Sequence, residues 1–168
     1  LEREFAPVAR EKGLRLRFVG TSLAVRSDRR LLRRLLQNLV SNGIQYTAAG
    51  RVLVGVRPRA GTFRLDVWDT GLGRPAGHQR AIFRPFERLP EGIKAASGIG
   101  LGLSIVDRIT KVLALEVVLR SAPGEGSAFS VELPVTRLAE VVERRAEPRR
   151  PATPLVDLSV VAIDNEPA

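Results

Sequence analysis

From Asp28 to Thr47 the chain carries its longest periodic stretch, and that stretch commits it to a helix lying on another layer. Leu32, Leu35, Leu36, Leu39, Val40 and Gly43 recur at the spacing of one buried helix side. Ser27-Asp28 ahead of them is a start signal, because a short oxygen-bearing side chain accepts a hydrogen bond from a first-turn N–H. Asn38, Asn42 and Gln45 fall at i, i+4 and i+7, so they form a stripe beside the apolar side. Asparagine is a poor helix former. Two of them at the margin of a buried face suit a helix that borders a cleft, although two solvated asparagines would give the same pattern.

Around this helix the sequence predicts a layer of strands. Residues 1–12 read as a short amphipathic helix stopped by Gly13. Leu14–Phe18 alternates apolar and basic residues, Leu23–Arg26 is a second short strand, and Val52–Arg57 with Phe63–Trp68 reads as a hairpin turning at Pro58 to Gly61. A short helix is expected near His78 to Phe83, then a mobile loop over 84–97. Ile99–Leu115 is helical, with Leu103, Val106, Ile109 and Leu113 inward. Glu116–Arg120 and Ala128–Leu133 are strands about the Pro123-Gly-Glu-Gly126 turn. The expected fold class is α+β: a two-layer α/β sandwich, its mixed, mostly antiparallel sheet of about five strands carrying about three helices on one face.

Two glycine clusters follow the asparagine helix. Asp69-Thr-Gly-Leu-Gly73 ends a strand; a carboxylate there can accept a hydrogen bond from an exocyclic amine, and glycines let backbone approach a flat base. Gly98-Ile-Gly-Leu-Gly102 opens a helix, where free N–H groups can bind phosphate. An amide carbonyl from Asn38 or Asn42 is a neutral ligand suited to Mg²⁺ already partly neutralised by phosphates. Each piece alone also fits a capped turn or a flexible turn into a helix. Phe83 and Phe86 flank Arg84-Pro85 as anchors of a glycine-rich loop, from which Arg88 and Lys94 could reach a phosphate.

Composition narrows the classes. There is no cysteine and one histidine, His78, which excludes thiolate metal sites and histidine clusters. No apolar run approaches the ~18 residues of a membrane span, and the charged opening is unlike a signal peptide. A soluble, cytoplasmic setting is expected, with a membrane-associated parent left open. The net charge of +9 favours anionic ligands, but the bases are scattered and aromatic content is 5%, so no nucleic-acid partner is expected.

Taken in order, these segments resemble the catalytic, ATP-binding domain of bacterial sensor histidine kinases, in the family shared with DNA gyrase, Hsp90 and MutL. Leu36 to Thr47 resembles the asparagine box, Asp69 to Gly73 the first glycine box, Ile82 to Arg88 the phenylalanine box, Gly98 to Ser104 the second glycine box, and Gly124 to Phe129 the closing glycine turn. The resemblance runs from about residue 14 to 134. It implies a Bergerat-type fold with ATP and Mg²⁺ as cofactors. Asn42 would coordinate Mg²⁺, with Asn38 beside it as the other catalytic amide. Asp69 would take the adenine amine, Tyr46 would lie against the base, and Gly71 and Gly73 would shape its pocket. Gly98, Gly100, Leu101 and Gly102 would cradle phosphate, with Arg88 nearby and Ser127 near the base. Val160 to Pro167 resembles the opening of a receiver domain. The implied layout is a connector at 1–13, the catalytic domain at 14–136, a linker at 137–156 and a receiver start at 157–168. Implied partners are ATP or ADP, a phosphoacceptor and dimerisation hairpin of the same homodimeric parent, and a receiver domain or response regulator.

Three positions depart from the family pattern. Gln45 stands where a basic residue is frequent, Arg74 follows the first glycine box where an apolar residue is usual and would loosen the start of the lid, and Leu113-Ala114 replaces a histidine–glycine pair. Gln45 and Arg74 motivate the alternative of a nucleotide-binding regulatory module without kinase activity; a basic nucleic-acid-binding module is the weaker third reading, from the net charge.

Overall fold

The computed structural model describes residues 1–22, 24–79, 81–84, 101–134 and 160–162. Three helices, α1 (Glu2–Glu11), α2 (Arg29–Tyr46) and α3 (Gly102–Val112), accompany strands β1 (Arg15–Phe18), β2 (Ala24–Arg26), β3 (Arg51–Arg59), β4 (Thr62–Asp69), β5 (Val117–Ala122), β6 (Gly126–Pro134) and β7 (Val160–Ala162). The main sheet has order β1-β3-β4-β6-β5; β1 is parallel to β3 and every other pair is antiparallel. This is the two-layer, mostly antiparallel architecture that the pattern of the sequence predicts.

The core lies between the leucine side of α2 and the inward residues of the sheet. Leu32, Leu35, Leu39 and Val40 meet Val52, Leu65, Val67, Phe129 and Val131, while Val106 and Ile109 of α3 close the other end. Each fully buried Leu or Phe contributes about 1.5–3 kcal/mol relative to exposure. Asp28 starts α2 as expected: its Oδ1 accepts from Leu31 N–H at 2.9 Å. The far end of α2 is held by a residue that its own periodicity does not reveal. Lys12 Nζ donates to the Ile44 and Gln45 carbonyls at 2.8 and 2.6 Å, satisfying two of the last free acceptors of the helix. Glu4 of α1 pairs with Arg33 and accepts from Gln37, so α1 is tied to α2 at both ends.

The outer face of the sheet is basic. Arg15, Arg17, Arg51, Arg57, Arg59 and Arg120 are exposed there, which accounts for much of the positive balance. Arg51 stacks on Trp68 at 5.0 Å, and Asp66 accepts from Ser130 Oγ at 2.6 Å while pairing with Arg64 at 2.9 Å.

Several local expectations are corrected. The hairpin does not turn at Pro58: β3 runs through it, with Pro58 opposite Phe63, and the turn is at Ala60-Gly61. Strand β1 covers only Arg51 to Val54, so beyond it one side of β3 has no strand neighbour among the described residues and a residue lacking N–H forfeits no ladder bond there. In place of one helix near His78 to Phe83 there are two 3₁₀ turns, Ala76–His78 and Ala81–Phe83. The third helix begins at Gly102. Strand β7, from the segment that resembles a receiver start, pairs antiparallel with β2.

Candidate functional site

Asp69 is the last residue of β4, in register with Val52 on one side and Ser127 on the other. The carboxylate is 3% exposed, and its Oδ1 accepts from Gly71 N–H at 2.9 Å. Burial pushes its pKa up from the ordinary carboxylate value; the Gly71 N–H, the charge of Arg74 and the Ser127 backbone N–H oppose that rise. A buried, base-like carboxylate at a strand end is poised to accept from a neutral N–H donor.

Helix α2 reaches this point because Gly43 has no side chain. A Cβ there would lie 3.2 Å from Val52 Cγ1 and 3.6 Å from the Asp69 Cβ. The asparagine helix and the acidic strand end therefore converge on one side of the molecule. One residue earlier, Asn42 is half-buried, and its Nδ2 is buried with no partner among the described residues. An N–H donor left so beside the Asp69 strand end suits an acceptor on a ligand. Asn38 differs: its Nδ2 donates to Arg34 O at 2.7 Å, and its Oδ1 would lie 3.4 Å from a Cβ on Gly102. It thus joins α2 to the N-terminus of α3, where Ser104 Oγ donates to the Leu101 carbonyl at 2.8 Å. Leu101 and Gly102 lie at the start of α3. Arg88, Gly98 and Gly100, with Phe86, Lys94 and the expected mobile loop past residue 84, lie outside the described residues.

The first glycine box is held by close backbone approaches. A side chain at Gly71 would strike the Tyr46 carbonyl, and one at Gly73, whose φ is +66°, would strike the Ala122 carbonyl. Gly124 N–H donates to Leu72 O at 2.8 Å and Leu72 N–H to Tyr46 O at 3.3 Å, so the closing turn, the box and the end of α2 are stitched together. Ser127 is 2% exposed and shares a hydrogen bond with Ser121 across 3.0 Å.

Arg74 is the main surprise. It is 8% exposed, with its guanidinium 5.3 Å over the Tyr46 ring and 5.9 Å over Phe129; the lid that it was expected to loosen lies outside the described residues. Its Nη1 donates to Ser127 Oγ at 3.4 Å. Burial lowers its pKa, and the Asp69 and Tyr46 charges oppose that. Sequence reasoning also missed Thr47, fully buried one residue past α2 with an Oγ1 that has no partner among the described residues. Its position directly after the asparagine box was the available signal.

The site holds no cluster of three or more acidic or histidine ligands among the described residues. A cation here fits only as a companion of phosphates: the Asn42 Oδ1 is the kind of neutral oxygen that could ligate it, and the unpartnered Nδ2 could donate to a phosphate oxygen. Among the described residues, no helix is long and apolar enough to cross a membrane.

Known proteins place this arrangement. The chain is 34% identical over 180 residues to the virulence sensor protein BvgS of Bordetella bronchiseptica, covering 97% of this chain and 14% of BvgS. It is 38% identical over 125 residues to the sensor histidine kinase AtsR of Burkholderia thailandensis, covering 71% of this chain and 21% of AtsR. It therefore spans well under a quarter of these relatives. The crystal structure of full-length ShkA in complex with AMPPNP superposes with a TM-score of 0.69 at 30% identity, over 79% of this chain and 28% of that one. Residues 27–137, most of the described domain, match the histidine kinase-, DNA gyrase B- and HSP90-like ATPase family, and the chain belongs to it.

Proposed function

We propose that this chain binds Mg-ATP in the pocket between α2, the Asp69 strand end and the N-terminus of α3, and presents the γ-phosphoryl group to a histidine on a separate hairpin of a larger sensor kinase. The observation that carries this reading is the convergence of the buried Asp69 carboxylate with the asparagine helix, whose Asn42 Nδ2 is buried without a partner among the described residues. Asp69 would accept from the adenine amine, Tyr46 would face the base, and Gly71, Gly73 and Ser127 would set the pocket walls. Asn38 and Leu101-Gly102 would lie at the phosphate end, joined by Gly98, Gly100 and Arg88.

Phosphoryl transfer depends mainly on positioning and charge neutralisation. Mg²⁺ bound across the phosphates would supply that neutralisation. The Asn42 carbonyl would hold it, while the N–H groups at the start of α3 would orient the phosphate oxygens. ShkA is a full-length protein solved with an ATP analogue, which supports nucleotide binding at this fold. The similarity to BvgS extends over nearly the whole chain and supports a place within a sensor protein. The segment 157–168 would then begin a receiver domain, making the parent a hybrid kinase.

Titration of the chain with a fluorescent ATP analogue, with and without Mg²⁺, tests the reading. The wild type binds with Mg²⁺-enhanced affinity, and Asn42→Ala loses the enhancement while keeping the Mg²⁺-free affinity. Equal Mg²⁺ enhancement in both proteins would remove Asn42 from the metal. Incubated alone with labelled ATP, the chain forms no phosphohistidine; joined to the hairpin of its parent, it does.

A further inference from the structure

The pocket carries one more charged group than an adenine site requires. Arg74 has five N–H donors and is nearly buried, yet among the described residues its one side-chain hydrogen bond is the long contact to Ser127 Oγ at 3.4 Å. Asp69 is near enough to interact with it electrostatically, but no direct ion pair joins the two among the described residues. The Asp69 carboxylate and the Arg74 guanidinium thus lie near each other without pairing among the described residues, the guanidinium over the face of Tyr46.

A purine that offers donors on one edge and acceptors on the adjacent edge would satisfy both. Guanine does so: N1–H and the N2 amine suit a carboxylate, while O6 and N7 are the base atoms that arginine pairs with most often. Adenine gives its amine to the carboxylate but has only ring nitrogens for the guanidinium. In a pocket with a carboxylate alone, guanine's O6 would face an acceptor and be rejected; a guanidinium beside that carboxylate removes the conflict. We propose that Arg74 is a specificity-determining residue that opens this purine pocket to 6-oxopurine nucleotides, so that guanine nucleotides bind comparably to adenine nucleotides. The inference rests on the reading of the pocket as a purine nucleotide site. The cost of keeping a guanidinium there is visible in its burial-depressed pKa, a cost that a purely structural apolar side chain would avoid.

The test compares Mg-ATP, Mg-GTP and Mg-ITP, each titrated calorimetrically into the wild type, Arg74→Leu and Arg74→Lys. In the wild type the GTP and ATP dissociation constants should agree within about tenfold, and Arg74→Leu should weaken GTP and ITP by about tenfold or more relative to ATP. Arg74→Lys, which keeps a cation, should restore part of the difference and serves if the leucine variant does not fold. The proposal is overturned if the wild type binds ATP but rejects GTP by a thousandfold or so, a ratio beyond what one bidentate contact offsets. It is equally overturned if both variants change all three affinities by one common factor, which would make Arg74 a plug or a packing residue. Failure of every nucleotide to bind the wild type would instead sink the pocket reading itself.

Discussion

Asp69→Asn separates the role of this carboxylate in binding from its role in folding. The carboxylate is 3% exposed, and its Oδ1 holds the Gly71 N–H at 2.9 Å. An asparagine oxygen can keep that bond. Its NH₂ must then take the other oxygen's place, presenting a donor to the base amine where an acceptor stood. Losing a hydrogen bond to a charged acceptor costs about 1.5–3 kcal/mol, or about 10- to 150-fold in ATP affinity. Stability should change little in comparison. The substitution removes a charge whose burial is unfavourable, as its raised pKa reports, and forfeits at most about one ordinary hydrogen bond, ~1 kcal/mol. Asp66→Asn is the internal control. Asp66 is also buried, at 8% exposed, but lies on the outer face, bound to Ser130 and Arg64. It should lose about 1–3 kcal/mol of stability, since a charged partner is left with a weaker acceptor, while ATP affinity stays the same. Calorimetric titration and urea unfolding of both variants measure the two quantities. If Asp69→Asn binds ATP within about threefold of wild type, or Asp66→Asn weakens binding, the assignment of the base-reading carboxylate is refuted.

Two further outcomes follow from the same geometry. The pKa of Asp69 is raised in the folded state, so its protonated form is favoured there: its unfavourable contribution is absent below the unfolded pKa and appears as pH rises through the folded one. The stability difference between Asp69→Asn and wild type should therefore shrink toward acid, whereas wild-type ATP affinity should fall there as the acceptor is protonated; affinity independent of pH down to the usual carboxylate range would contradict this. At the end of α3, Leu115 N–H bonds Thr110 O at 2.8 Å and Ala114 N–H bonds Lys111 O at 3.3 Å, a Schellman closure that puts Ala114 at φ 52°. Ala114→Gly should raise unfolding stability by about 1 kcal/mol, because the left-handed conformation penalises a Cβ; a loss of stability in thermal unfolding would show that the alanine methyl matters more.

Much of this was legible because local and global signals agree. The Leu32–Val40 side of α2, the Asp28 cap and the alternation in β4 and β6 each point to the element that forms. The asparagines and Asp69 were brought together in advance only by the family resemblance; the physical reason, that Gly43 lets the helix approach Val52 and Asp69, is a tertiary fact. Pro58 misled because a proline reads as a turn wherever strand neighbours are unknown; that β1 stops opposite Val54 is a tertiary fact. The same holds for Lys12, whose partners are carbonyls 32 and 33 residues away. Arg74 was visible as a departure, but its destination was not: an arginine beside a glycine turn belongs in solvent unless aromatic faces and a carboxylate receive it, and Tyr46, Phe129 and Asp69 come from three separate elements.

The central claim is that one purine nucleotide sits where α2, β4 and the closing glycine turn meet. Amide chemical-shift mapping of the ¹⁵N-labelled chain during titration with Mg-ATP addresses it residue by residue. The account predicts saturable shifts concentrated at Tyr46, Gly71, Gly102 and Ser127, with Arg17, Arg57 and Arg120 on the outer face unmoved. Shifts confined to that basic outer face, with Gly71 and Ser127 unchanged, would contradict it.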